Sequence, residues 1–163
     1  MPTTADLPEL PRALRQPLTT SVELLLASRL PARLGWTDPN GHPQMAPMWF
    51  EWLDGEILLS AFAGARKLDH LADGDRVVVS IDTSEFPYRA LRVWGPITLE
   101  SVDGLTASYR RSAERYLGTE AAVRWCARLD GANQVLIRLR PDRASASDLS
   151  TSGFYAAGPG ADS

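Results

Sequence analysis

Residues 45–67 read MAPMWFEWLDGEILLSAFAGARK. Met45 to Trp52 reads as a strand, Asp54-Gly55 as the two-residue hairpin turn that matches strand twist, and Glu56 to Phe62 as its partner. Pro47 has no N–H for a ladder bond, so the first strand is an edge, a bulge or an opening at that point. After Phe62 the period changes, and Ala65 to Ala72 predicts a short helix ended by Asp73-Gly74. Arg66 and Lys67 then fall in the first turn, where the helix dipole favours anions over cations. Two cations in that place make sense beside a bound anion, with free N–H groups, the small residues around Gly64 and the hydroxyl of Ser60 adding to the site. The competing reading is a pair of solvated surface cations.

Working outward, Thr19, Thr20 and Ser21 cap a short helix carrying Val22, Leu25, Leu26 and Leu30. Arg33 to Thr37 is a strand, and Asp38-Pro39-Asn40-Gly41 turns it back toward Met45, so two successive hairpins predict a three-stranded meander. On the other side, Arg76 to Asp82 is a β-branched buried strand. Tyr88 to Glu100 is another, bent or bulged at Gly95-Pro96. Asp103 to about Leu117 predicts a helix with Leu105, Tyr109, Ala113 and Tyr116/Leu117 on one face, stopped by Gly118. Thr119 caps a further helix with Ala122, Val123, Cys126 and Leu129 inward. Gln134 to Arg140 is the last strand. The sum is a mainly β (α+β) chain of six antiparallel strands with three or four short flanking helices, and six such strands close most easily into a small barrel. Small barrels are filled by their own side chains, so a ligand belongs outside, in a groove completed by a second subunit.

The chain has 163 residues, 44% hydrophobic and 23% charged, with a net charge of −3. That suits one soluble domain. The expected division is a proline-rich extended arm over 1–17, a barrel domain over 18–148 and a flexible tail over 149–163. The charge balance argues against a nucleic-acid footprint. No apolar run is long enough for a membrane span, and MPTTADLPEL lacks the features of a secretory leader, so a cytoplasmic protein is expected. A lone cysteine, Cys126, excludes an internal disulfide, and two histidines, His42 and His70, give no metal-ligand spacing, so no metal site is expected. Lys67 is the only lysine among seventeen basic residues.

The run Gly41-His42-Pro43-Gln44-Met45-Ala46-Pro47-Met48-Trp49-Phe50, followed by Asp54-Gly55, Ser60 through Arg66-Lys67 to Leu71, and Arg76 to Ile81, resembles the FMN-binding split-barrel superfamily. This is the pyridoxamine-phosphate-oxidase-like group, which includes reductases using the deazaflavin coenzyme F-420. The resemblance continues through Arg89 to Gly95, Arg115 to Gly118 and Val135 to Pro141, about residues 20 to 145 in all. It implies a six-stranded antiparallel split β-barrel. It also implies that Arg66 and Lys67 contact a cofactor phosphate, that Ser60 and Ala61 contact the cofactor, and that the stretch with Met45, Pro47, Met48 and Trp49 lies along its ring. Arg89 would add a contact from the partner of a homodimer with sites at the interface. The chain departs from true pyridoxamine-phosphate oxidases at Ala46, where they carry arginine, and at Ala90, where they carry glutamine. No histidine follows His70, so vitamin B6 oxidation is not implied. The Pro-Met-Trp-Phe strand looks more like the reductase branch.

The implied activity is hydride transfer between bound F-420 or FMN and a small unsaturated or quinone-like substrate. A non-catalytic carrier or sensor with the same cofactor is the alternative, and a ligand-free structural dimer a third reading. Tyr88 and Arg89 are candidates for proton supply. His42 reads as a solvated loop residue, His70 as a surface residue sharing a face with Lys67, and Cys126 as core. Trp52 and Trp94 read as packing residues, whereas Trp49, beside Pro47, is a candidate stacking platform. Arg110, Arg111 and Arg115 read as a solvated face, or else as a contact to an acidic cofactor tail.

Overall fold

The computed structural model describes residues 19–151. The arm expected over 1–17 and the tail beyond 151 lie outside the described residues. The elements are α1 (Thr19–Leu26), β1 (Ala32–Thr37), β2 (Pro43–Met48), β3 (Phe50–Leu53), β4 (Glu56–Phe62), a 3₁₀ turn (Arg66–His70), β5 (Arg76–Asp82), β6 (Arg89–Val102), α2 (Ala107–Leu117), α3 (Thr119–Ala127), β7 (Gln134–Leu139), β8 (Arg143–Asp148) and a final 3₁₀ turn (Leu149–Thr151).

Among the described residues the strands number eight, not six. One extra strand arises because the stretch read as Met45 to Trp52 is parted at Trp49, which belongs to neither β2 nor β3. The other is β8, which pairs with β6 after the expected end at Pro141. The sheet order is β2-β1-β5-β6-β7-β4-β3. Its two ends, β2 and β3, are therefore consecutive in the chain, joined only through Trp49. That continuity curls the sheet into a barrel and leaves it split there. The predicted meander is corrected accordingly: β1–β2 and β3–β4 are separate antiparallel hairpins at opposite ends of the path.

The turns behave as their residues dictate. Asp38 Oδ1 accepts the N–H groups of Asn40 and His42, each at 2.9 Å. Asp54 and Gly55 both take positive φ, 51° and 80°, as a hairpin turn of this length requires. β6 serves both halves of the barrel, pairing β5 over residues 90–96 and β7 over 97–102. Gly95 stands at the changeover, where a Cβ would lie 2.0 Å from the Arg140 carbonyl oxygen, so only glycine fits. Beyond it the Asp142 N–H donates to the Trp94 carbonyl at 3.0 Å and carries the chain from β7 into β8.

The barrel is filled by its own side chains. Leu34, Phe50, Ile57, Leu59, Ile81, Leu91, Ile137 and Leu139 are fully buried, and Val22, Leu25 and Leu26 of α1 pack against them. Along β5 the alternation is plain, with Val77, Val79 and Ile81 inside. Among the described residues no helix is long and apolar enough to cross a membrane.

Several helical expectations are corrected, among them the inward place of Leu117, which is 40% exposed. The segment after Phe62 is a five-residue 3₁₀ turn without a side-chain cap, too short to offer the helix dipole invoked for Arg66 and Lys67. Gly118, at φ 83°, rather than Thr119, caps α3, and the Thr119 hydroxyl instead bonds the Glu114 carboxylate. Val123 is 67% exposed, because the packed side of α3 runs through Ala122 and Trp125. Cys126 is half-buried and not a core residue.

Candidate functional site

A groove of about 370 Å³ opens at the split. One wall is the parted strand, with Pro47, Met48 and Trp49; the facing wall is the end of β4, with Ser60, Ala61 and Phe62. The turn with Ala65 and Lys67 borders it, and Tyr109 of α2 and Trp125 of α3 complete the lining. The volume falls within the range of small-molecule sites. Of the nine residues singled out in the sequence, the structure brings six together here: Pro47, Met48, Trp49, Ser60, Ala61 and Lys67.

The other three lie elsewhere. Met45 is 65% exposed further along β2. Arg66 is exposed and outside the lining. Arg89 donates from Nε to Asp148 at 3.0 Å, tying β6 to β8. Tyr88 is exposed, in edge-to-face contact with Phe86. Neither histidine lines the groove: His42 is exposed beside Asp38, and His70 is half-buried with its Nδ1 lacking a partner among the described residues.

The groove has an aromatic character that the sequence reading caught only at Trp49. Trp49 stacks on Tyr116 and lies 5.6 Å from Tyr109 and 6.4 Å from Trp125, centroid to centroid. Phe62 meets Tyr109 edge-on at 5.7 Å. The missed residues are Phe62, Tyr109 and Trp125. Trp125 had a signal: it lies three residues after Ala122, on the same helix face.

Polar groups are few and well held. Thr106 caps α2, accepting the Tyr109 N–H at 3.0 Å, and its hydroxyl sits 2.6 Å from Ser60 Oγ. The Thr106 N–H in turn donates to Gln134 Oε1 at 2.9 Å. Burial pushes the Tyr109 phenol above its ordinary pKa, partly opposed by the Trp125 indole that donates to it. Burial likewise raises Tyr116, against the Arg115 charge.

The arginines of α2 are not a solvated face as a group. Arg111 grips Glu51 of β3 with two bonds of 2.5 and 2.9 Å. Arg115 is half-buried, lies over the rings of Phe50 and Tyr116, and donates to the Phe50 carbonyl just after the split. Arg110 alone of the three is exposed without an ion pair among the described residues.

Lys67 has no ion pair or hydrogen bond among the described residues, although it borders the groove. An unpaired ammonium, apolar and aromatic walls, and two hydroxyls suit a flat ring carrying a negative group. The residues present therefore fit a flavin-type cofactor.

No family model matches this sequence, and no curated protein does. Solved structures do. An F-420 reductase is 30% identical, with a TM-score of 0.60 over 76% of this chain and 94% of its own. A conserved hypothetical protein of Mycobacterium tuberculosis is 20% identical, with a TM-score of 0.62 over 87% of this chain and 91% of its own. The haem storage protein HutZ of Vibrio cholerae is 14% identical, with a TM-score of 0.55 over 80% and 94%. The last two share the fold alone.

Proposed function

The chain belongs to the pyridoxamine-phosphate-oxidase-like split-barrel family, and from that premise we propose that it is an oxidoreductase holding coenzyme F-420 or FMN in the groove at Trp49. The observation that carries this reading is Lys67: the only lysine of the chain borders the groove without a partner among the described residues. An ammonium with no carboxylate of its own is free to make a charge-assisted hydrogen bond to the negative group of a ligand. The reductase at 30% identity supports F-420 as one of the two cofactors.

When bound, a flavin or deazaflavin supplies the hydride chemistry, which no side chain provides. The protein's residues do the rest. Lys67 holds the negative group of the ligand, with Ser60 offering its hydroxyl beside it. Pro47 contributes a backbone stretch without an N–H, so a ring approaches the strand without displacing a ladder bond. Trp49, Phe62 and Trp125 exclude water from the ring's faces. The substrate is a small unsaturated or quinone-like molecule that reaches the ring through the open side. A homodimer completes the groove, bringing Arg89 of one protomer toward the site of the other, and the protein works in the cytoplasm. Haem is disfavoured, since neither His42 nor His70 reaches the groove.

Titration with each cofactor tests the reading. Lys67→Ala weakens binding by roughly 1.5–3 kcal/mol, the usual cost of losing a charged contact. Unchanged affinity for both cofactors removes Lys67 from the site. Tight binding of a cofactor that no acceptor ever reoxidises favours the carrier or sensor.

A further inference from the structure

Trp49 is flanked by two phenols that differ in where their protons go. Tyr116 has committed its own: Oη donates to the Leu30 carbonyl at 2.8 Å. Tyr109 has not. An indole N–H only donates, so the 2.9 Å contact between Trp125 Nε1 and Tyr109 Oη makes the tyrosine oxygen the acceptor. No acceptor for the Tyr109 hydroxyl proton exists among the described residues. The residue is only 8% exposed, and it lines the groove. Facing the groove, the O–H is left for whatever fills that space, water or a ligand oxygen.

The phenol is also held in place from three sides. Its backbone N–H bonds the Thr106 hydroxyl, its ring meets Phe62 edge-on, and Trp49 lies against it. A donor fixed before the ligand arrives needs no reorganisation to act.

We propose that Tyr109 is the hydrogen-bond donor that orients ligands in the groove, presenting its O–H to a carbonyl or oxyanion oxygen on a flat ring bound beside Trp49, with Trp125 as the positioning residue that fixes the direction of donation. This rests on the reading of the groove as a flavin-type site. The acceptor oxygen is common to two sources, a ring carbonyl of the cofactor and the oxygen of a quinone substrate. A tyrosine phenol is protonated at neutral pH, and burial only pushes its pKa further up, so the donor is present whenever the ligand binds. A ring with a C–H or N–H in place of that oxygen leaves the donor unmatched and is rejected.

The test titrates the full chain with FMN, F-420 and menadione, comparing wild type with Tyr109→Phe, Trp125→Phe and the double variant. Tyr109→Phe weakens at least one ligand by about 10-fold, the effect of one lost hydrogen bond in a dry site. Trp125→Phe weakens the same ligand and adds nothing in the Tyr109→Phe background. Loss confined to FMN or F-420 places the bond on the cofactor, and loss confined to menadione places it on the substrate; both support the donor. Equal affinity of wild type and Tyr109→Phe for all three ligands overturns it, as do independent, multiplying losses in the double variant. Should Tyr109→Phe fail to fold, infrared spectra of wild type with bound ligand decide: a carbonyl stretch lowered relative to apolar solvent, and restored by Trp125→Phe, supports the bond, and an unshifted stretch overturns it. Lys67→Ala separates the two claims. Binding weakened by Lys67→Ala but not by Tyr109→Phe overturns the donor alone, whereas a wild-type chain that binds none of the three overturns the flavin-site reading with it.

Discussion

Trp49 lies flat on Tyr116, the ring centroids 5.2 Å apart and the planes 9° from parallel, at the one residue where the long strand is parted. The partner ring is itself pinned, since Tyr116 donates to the Leu30 carbonyl and Arg115 lies 4.9 Å over its face. The stack therefore fixes the seam of the barrel to α2.

Removing the indole tests that fixation. Trp49→Ala lowers stability by about 2 kcal/mol, less than the ~3–5 kcal/mol of a fully buried tryptophan because the ring is only half-buried. Urea denaturation measures it. Trp49→Phe recovers most of the loss, since a flat ring still reaches Tyr116. Recovery no better than that of Trp49→Leu would show that packing volume, not stacking, holds the seam.

Gly95 gives a sharper effect. Its missing Cβ would stand 2.0 Å from the Arg140 carbonyl oxygen, a backbone atom with no flexible end to swing away. Gly95→Ala therefore parts β6 from the junction of β7 and β8 and costs about 3 kcal/mol or more. Gly64→Ala is the contrast. Its φ of 81° disfavours a side chain, yet nothing lies within 4 Å of the added atom, so its cost stays near 1 kcal/mol. Thermal midpoints of the two variants rank in that order.

Thr106 joins the fold to the groove through a single hydroxyl, which caps α2 and contacts Ser60. Thr106→Val keeps the shape and removes both bonds, lowering stability by about 1–2 kcal/mol. Thr106→Ser retains them and stays near wild type. Calorimetry of the pair checks the cap, and a Val variant as stable as the Ser variant refutes it.

Asp148 sets a pH dependence. The Ser150 and Ser21 hydroxyls and the Arg89 charge hold its pKa at about 2, below the ordinary 3.8. A carboxylate whose pKa is lowered by folding stabilises the fold fully above 3.8, and that contribution disappears as the pH falls toward 2. Wild type is therefore more stable than Asp148→Asn at neutral pH, and the difference closes over that acid range. Urea midpoints at a series of pH values show the convergence. A gap that stays constant to the acid end assigns the effect to shape, not charge.

Much of the barrel was legible because its signals are local. Asp54-Gly55 specifies a turn by φ, Val77, Val79 and Ile81 specify a face by alternation, and Pro47 marks an edge strand, two residues before it parts at Trp49. What escaped depends on contacts distant in sequence. Nothing in Met-Trp-Phe-Glu-Trp says that the residues before and after Trp49 bond to strands at opposite ends of the sheet. β8 hid in Arg-Ala-Ser-Ala-Ser-Asp, whose alternation uses alanines too small to register as a core face. Six of the nine candidate residues meet at the groove because they flank one turn and one break in the chain. The helical wall was missed because Tyr109 and Trp125 look like ordinary packing residues until their hydrogen bond is seen.

The closure of the sheet through a single residue makes the barrel a hoop with one link. Tension anywhere around a hoop is felt at its link, so prying Pro47 away from Ser60 loads the entire circumference. A molecule seated in the groove works as a clasp on that link, and the rigidity of the far strands and the grip on the ligand rise and fall together.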